Sequence, residues 1–215
     1  MYLHVKSCRF CGGTVKRLVL TALMAMVLPA AAWASGINLV NGKGTIAISS
    51  AGITSKGSQL LQFNGITAPA GKSLGSVSFS TGALTSGTLA TGGTFSSAGS
   101  SFIVIGKGNF GQPKGVIFNG AFTGDISWTL VSQSGKTLTF QLSGNIQGTD
   151  FNGRLVHGTT TQTIVTTAAQ LARGIGHVTT GTTQIVVPEP GTLGLLGTGL
   201  IGIASMVRRK LVVKQ

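Results

Sequence analysis

The chain has 215 residues, of which 34 are glycine and only three acidic, and its formal net charge is +13. That length allows one domain plus targeting segments. Seven of the excess positive charges fall in residues 1–34 and 188–215, so much of the charge is targeting charge. The chain also lacks interleaved aromatics and a recognisable nucleic-acid fold, which excludes a nucleic-acid partner.

Residues 1–17 are basic, with Lys6, Arg9, Lys16 and Arg17 and no acid. "CRFC" at 8–11 holds both cysteines. A redox or zinc reading of C-x-x-C needs a folded βαβ setting or a second ligand pair, and neither is present. The run "LVLTALMAMVLPAAAWA" at 18–34 follows, apolar and of signal h-region length. Ala32 and Ala34 place small residues where a signal peptidase reads them. The spacing predicts a Sec signal peptide over 1–34, cleaved after Ala34, with the Sec translocon and signal peptidase as partners.

Residues 35–187 hold 27 glycines, two prolines and no cysteine. Stability must therefore come from core burial and a hydrogen-bonded sheet. "DISWTLVSQSGKTLTFQLSG" is the clearest segment. Ile126, Trp128 and Leu130 alternate with Ser127 and Thr129, and Leu138, Phe140 and Leu142 alternate with polar residues beyond a Ser-Gly turn. This predicts an antiparallel hairpin with one buried face. Further short strands read at 44–49, 58–66, 74–80, 100–106, 115–123, 154–157, 161–167 and 183–187. One helical turn reads at "AAQLARG", 168–174. The Ser/Thr/Gly-rich stretch 80–101 reads as a long loop or edge ribbon. "FNG" recurs at 63–65, 118–120 and 151–153, and Asn-Gly favours turns. The pattern predicts an all-β fold, an antiparallel β-sandwich or jelly-roll-like single domain.

Candidate chemistry in this middle is sparse. "GKSLG" at 71–75 fits G-x-S-x-G with Ser73, but a turn precedes it and a strand follows, where a nucleophile elbow needs strand then helix. "GITAPAGKS" misses the P-loop spacing by one residue and lacks the following helix. Asp125 and Asp150, the only carboxylates of the middle, both lie at Gly-flanked turns, "TGDIS" and "GTDFNG", where Asp caps turns. A glycan hydrolase using this pair is the third-ranked reading. His157 and His177 have no Cys or carboxylate cluster beside them, so no metal site and no cofactor is expected. The cations Lys43, Lys56, Lys72, Lys107, Lys114, Lys136, Arg154 and Arg173 each adjoin a glycine. They read either as solubilising turn charges or as a basic rim for acidic polysaccharide. The threonine runs "TTTQTIVTT" and "VTTGTTQ" could array hydroxyls for ice or carbohydrate, although Thr is also simply a good strand residue.

The chain ends "VVPEPGTLGLLGTGLIGIASMVRRKLVVKQ". Gly191 to Val207 is a run of 17 uncharged residues. As a helix it spans roughly 26 Å, just under the ~30 Å hydrocarbon core. Arg208, Arg209, Lys210 and Lys214 then mark the cytoplasmic side. Pro188-Glu189-Pro190 before it reads as an extended, accessible segment. In that order, motif, span and basic stop resemble the PEP-CTERM sorting tail of exported Gram-negative proteins. The resemblance covers residues 187–210. It implies recognition of Pro188, Glu189 and Pro190 by an exosortase, a membrane-embedded cysteine transpeptidase-like enzyme, in a bacterium that makes exopolysaccharide. Some ice-binding proteins also end in such a tail; sharing it says nothing about binding ice. Residues 80–101 with "FNGAFTGDISWTL" also resemble a group of exported β-proteins bearing the same tail.

The expectation is therefore a non-enzymatic protein with a signal peptide (1–34), a β-domain (35–187) and a sorting tail (188–215). Its precursor is held transiently in the inner membrane facing the periplasm, and the mature form reaches the cell surface or matrix. It acts there as a structural or adhesive component, or as a carbohydrate- or polyanion-binding module, with exopolysaccharide as a partner.

Overall fold

The computed structural model describes residues 36–187. Both targeting segments lie outside the described residues. These include Cys8, Cys11, Ala32, Ala34, Pro188, Glu189, Pro190, the apolar run, Arg208, Arg209 and Lys210.

Strand β1 (Gly36–Gly42) leads through Lys43, at φ 55°, into β2 (Gly44–Ser49). Then come β3 (Gly52–Phe63), the two-residue β4 (Ile66–Thr67), β5 (Gly75–Ser80), β6 (Leu84–Thr88), β7 (Gly92–Phe95) and β8 (Ser101–Lys107). The long strands follow: β9 (Lys114–Ser134), β10 (Thr137–Asp150), β11 (Leu155–Thr167), helix α1 (Ala168–Ala172) and β12 (Ile175–Val186). All pairings are antiparallel, in the order β10-β11-β12-β1-β3-β5-β8-β9, and β9 pairs again with β10. The sheet is thus a closed eight-stranded barrel, not the sandwich or jelly roll the pattern suggested. Alternation within a strand demands one buried face, and either architecture supplies it. Which one forms is decided by register between distant strands, which alternation does not encode.

Several short strands expected from sequence are pieces of longer ones. The 115–123 and 126–130 segments join in β9 through a bulge at Gly124, whose φ is 70°. Two of the three "FNG" triplets do turn the chain. Asn64 (φ 46°) and Gly65 (φ 84°) make a two-residue hairpin turn, and Gly153 sits in the β10–β11 turn at φ 73°. The third, at 118–120, lies inside β9. There Gly120 is paired directly with Gly148 of β10, and a Cβ on Gly148 would fall on the Asn119 carbonyl oxygen. Glycine here serves close backbone approach in a sharply coiled wall rather than a turn.

The stretch 80–101 contains the β6–β7 hairpin, which lies on β9. Buried Phe95 anchors it, edge-on to Trp128, whose indole N–H donates to the Leu89 carbonyl at 3.0 Å. Helix α1 forms where "AAQLARG" predicted it, with a Thr167–Gln170 capping box.

The barrel interior is filled, as expected for eight strands. Trp128 stacks on Phe140 with centroids 4.3 Å apart, and Phe102 packs against Phe79, Phe118 and Phe122. The outer face of β9–β12 is largely Thr, Ser, Asn and Gln. Apolar inside and polar outside is the reverse of a membrane-spanning barrel.

A polar network crosses this interior. Asn41 of β1 and Gln162 of β11 both pair in register with Gly181 of the intervening β12. Their side-chain amides meet over it: Asn41 Nδ2 donates to Gln162 Oε1 at 2.8 Å and to Ser58 Oγ at 3.1 Å. Gln162 Nε2 donates to Thr160 Oγ1 at 2.9 Å, and Thr160 bonds Thr183 through their hydroxyls at 2.8 Å. All five residues are buried. A Cβ on Gly181 would overlap both amide oxygens, so only glycine lets the bridge form.

Gly181→Ala should therefore cost about 1–3 kcal/mol from overpacking. Gln162→Ala should cost a similar ~1–3 kcal/mol by leaving buried Asn41 Oδ1, which accepts from Gln162 Nε2, without its donor. The double variant should lose clearly less than the sum. Urea unfolding followed by fluorescence of Trp128, the only tryptophan in 36–187, measures this. Strict additivity would mean the two positions do not share the bridge.

Candidate functional site

The two ends of the barrel differ. Gly36 pairs with Val186, so both boundaries of the described chain meet at one end, hereafter the tail end. The same end carries the loops 64–74, 108–113 and 151–154, because β3, β8 and β10 finish there and β5, β9 and β11 begin there. The far end carries the β2–β3 and β9–β10 turns and α1.

The eight candidate polyanion-binding cations divide between these places. Lys72, Lys107, Lys114 and Arg154 lie at the tail end, all exposed. Lys136 and Arg173 lie at the far end. Lys43 marks the β1–β2 break, and Lys56 sits beside Gly57 in the β3 bulge, both on the side of the barrel formed by β1–β3. They do not form a single rim; four of them make a smaller group. In it Lys107 is directly opposite Lys114 in the β8–β9 ladder, a like-charge juxtaposition that disfavours pairing. Lys107 Nζ donates to Ser73 Oγ at 2.7 Å. The intervening loop is held by buried Gln112, whose Nε2 donates to the Leu74 carbonyl at 2.7 Å and to Asn109 Oδ1 at 2.8 Å, while its Oε1 accepts from the Phe110 amide at 3.0 Å.

The outer wall of β9–β12 is the other feature. Register places Ser143, Thr161 and Thr182 on one rung and Gln141, Thr163 and Thr180 on another. Lower down, Asn145, Thr159 and Gln184 share a rung, and Gln147, His157 and Val186 the next towards the tail end. These two lower rungs line an open trough of about 330 Å³. The threonine runs read in the sequence are thus adjacent strands, their outward residues exposed or half-buried and Thr160 and Thr183 turned into the core. The wall offers hydroxyl and amide groups to a ligand and very little charge. Sequence reading missed the trough, because it depends on which strands are neighbours.

The residues weighed for catalysis fall apart. Asp150 is buried, and its Oδ1 accepts from the amides of Asn152 at 2.8 Å and Arg154 at 2.9 Å, closing the β10–β11 turn. Asp125 is exposed at the β9 bulge. Asp150 is opposite Phe118, and Asp125 lies seven residues further along β9. At a strand rise of ~3.3 Å per residue the two are roughly 20 Å apart, against ~5–9.5 Å for a glycosidase pair. Ser73 precedes β5 and follows no strand that could form an elbow; it accepts from a lysine. His157 and His177 sit exposed on neighbouring strands, His157 opposite Gln147 and Val186, His177 opposite Val165 and Thr45. Asp150→Ala should lower stability by about 1.5–3 kcal/mol, the loss of hydrogen bonds to a charged acceptor. Asp125→Ala should stay within about 0.5 kcal/mol of the parent. Equal costs in the same urea titration would remove the turn-capping role given to Asp150.

Comparison with known proteins adds one finding. Residues 186–210 match the PEP-CTERM protein-sorting motif. The match begins at the last residue of β12. No curated protein and no solved structure matches the chain. The chain thus carries a PEP-CTERM sorting motif after its barrel, which implies an exported, membrane-transiting protein with an exosortase as the processing partner.

Proposed function

We propose that the mature barrel is a structural or adhesive component of the cell envelope or exopolysaccharide matrix, and that it acts by contact rather than turnover. Residues 1–34 would be removed on export. Residues 191–207 would hold the precursor in the inner membrane with Arg208, Arg209 and Lys210 on the cytoplasmic side, and the barrel in the periplasm, until an exosortase cuts the tail. The sorting motif supports the route. The single observation that supports the contact role is the hydroxyl- and amide-rich wall over β9–β12. The ~20 Å separation of Asp125 from Asp150 along the strand gives hydrolysis no paired carboxylates.

The same wall favours carbohydrate as the ligand. Thr, Asn and Gln side chains exchange hydrogen bonds with sugar hydroxyls without a charge to screen. Binding of acidic glycans through all eight cations has weaker support, because those cations are spread over both ends and the β1–β3 side of the barrel.

Intact mass of the protein from its native cells should show a new N-terminus at Ser35 and loss of the tail. Replacing Pro188, Glu189 and Pro190 together by alanine should leave the tail attached and the protein in the membrane fraction; normal release of that variant would remove the motif from the route. On immobilised glycans, retention through the wall should change little as salt is raised. Retention through lysines should fall steeply. Retention that collapses with salt would therefore shift the assignment from the wall to the cations, and turnover of any glycan by the purified protein would end the contact-only reading.

A further inference from the structure

Eight large apolar side chains are exposed among the described residues, and six of them are at the tail end. Ile105 and Val116 face outward opposite each other near the ends of the β8–β9 ladder, with Phe110 in the loop beyond them. Phe151 and Leu155 flank the β10–β11 turn, and Val186 lies at the end of β12. Leu155 is 62% exposed and Val116 50%. Only Val131 and Ile175 are exposed in this way towards the far end. The six occupy the arc from β8 through β12, and the cations Lys107, Lys114 and Arg154 are interleaved with them, with Lys72 alongside on the loop before β5.

Greasy tips among exposed cations on one end of a polar barrel are the composition of a surface that rests on a charged interface. Apolar groups enter the headgroup boundary while Lys and Arg meet lipid phosphates. The chain itself selects that partner. Only Pro188, Glu189 and Pro190 separate Val187 from the uncharged run that starts at Gly191. Three extended residues reach about 10 Å, little more than the headgroup layer between water and the ~30 Å hydrocarbon core. A barrel so tethered cannot stand clear of the bilayer, and the end nearest the tether is this one.

We propose that the tail end of the barrel is a membrane-docking face that seats on anionic phospholipid headgroups while the tail is in place. The inference rests on the reading of residues 191–207 as a membrane span. Phe110, on the loop pinned by Gln112, and Leu155 enter the interface. Lys72, Lys107, Lys114 and Arg154 pair with lipid phosphates, which also relieves the repulsion between Lys107 and Lys114. Seating fixes the Pro-Glu-Pro segment at headgroup depth, where a membrane-embedded processing enzyme acts. Once the tail is gone the tether is lost, and the same face gives only a weak, salt-sensitive hold on the membrane.

The test uses the full chain reconstituted into phosphatidylcholine vesicles with and without phosphatidylglycerol. Cys8 and Cys11 are replaced by serine, and an environment-sensitive fluorophore is placed by Phe110→Cys or, as the far-end control, Val131→Cys. Flotation, compared with that of a chain ending at Val187, reports whether the tail inserts. In anionic vesicles the label at 110 should shift to the blue and lose its quenching by aqueous acrylamide, while the label at 131 stays fully quenchable. The combination Lys72→Gln, Lys107→Gln, Lys114→Gln and Arg154→Gln, all at exposed positions, should return the 110 label to water without abolishing flotation. A chain that floats with both labels equally quenchable overturns the docking face alone. A chain that does not float takes the span reading down, and the docking face with it. Equal protection in neutral and anionic vesicles overturns the assignment to anionic lipid.

Discussion

Strand β9 is hydrogen-bonded along one side to β10, from Phe118 to Ser134, and along the other first to β8 and then to β7. That double pairing joins the N-terminal strands to the last strands of the chain and leaves the ring without an edge. With no cysteine in the barrel, the ladder and the packed interior carry the stability that a disulfide would supply in many exported domains. Closure also imposes a geometric demand. Eight strands must tilt and coil so tightly that some facing backbones nearly touch, which is possible only where side chains are absent. The inward pairs Gly75–Gly106 and Gly120–Gly148 meet that demand.

The polar bridge over Gly181 belongs to the same logic. Apolar packing rewards burial but tolerates a strand slipped by two residues, since the same face stays inside. Two amides that satisfy each other only above one glycine do not tolerate it. The Asn41–Gln162 contact joins β1 to β11, residues 121 positions apart, across the strand between them. It therefore specifies the alignment of three strands at once, at the place where the first strand meets the last. That is the best-attested use of a buried polar pair.

Closure also separates roles in space. Because the first and last strands are neighbours, the segments before Gly36 and after Val187 join the barrel at one end. That end holds six of the eight exposed large apolar residues of the described chain and half of the cations. The long strands β9 to β12 form a wall whose lower rungs make the trough and whose upper rungs display threonine. In the proposed docking, the tail end would face the membrane and the wall would stay open, with no rearrangement of the fold required.

From its sequence alone the chain declares its route and its class. The sorting tail is a linear signal read by other proteins, so it needs no tertiary context and was legible over residues 187–210. The 126–143 hairpin and the turn at Asn64-Gly65 were legible because alternation and positive φ are local properties. The barrel was not, since Gly120 and Gly148 look like turn glycines until their partners are known, and β9 looks like two strands until its bulge at Gly124 is seen. The eight cations could be placed next to turns, but not sorted between the two ends. The trough, the amide bridge and the apolar tail end were also invisible, because each is made by residues from different strands. Register between distant strands is set by the free energy of the whole closed sheet, and no window of sequence contains that sum.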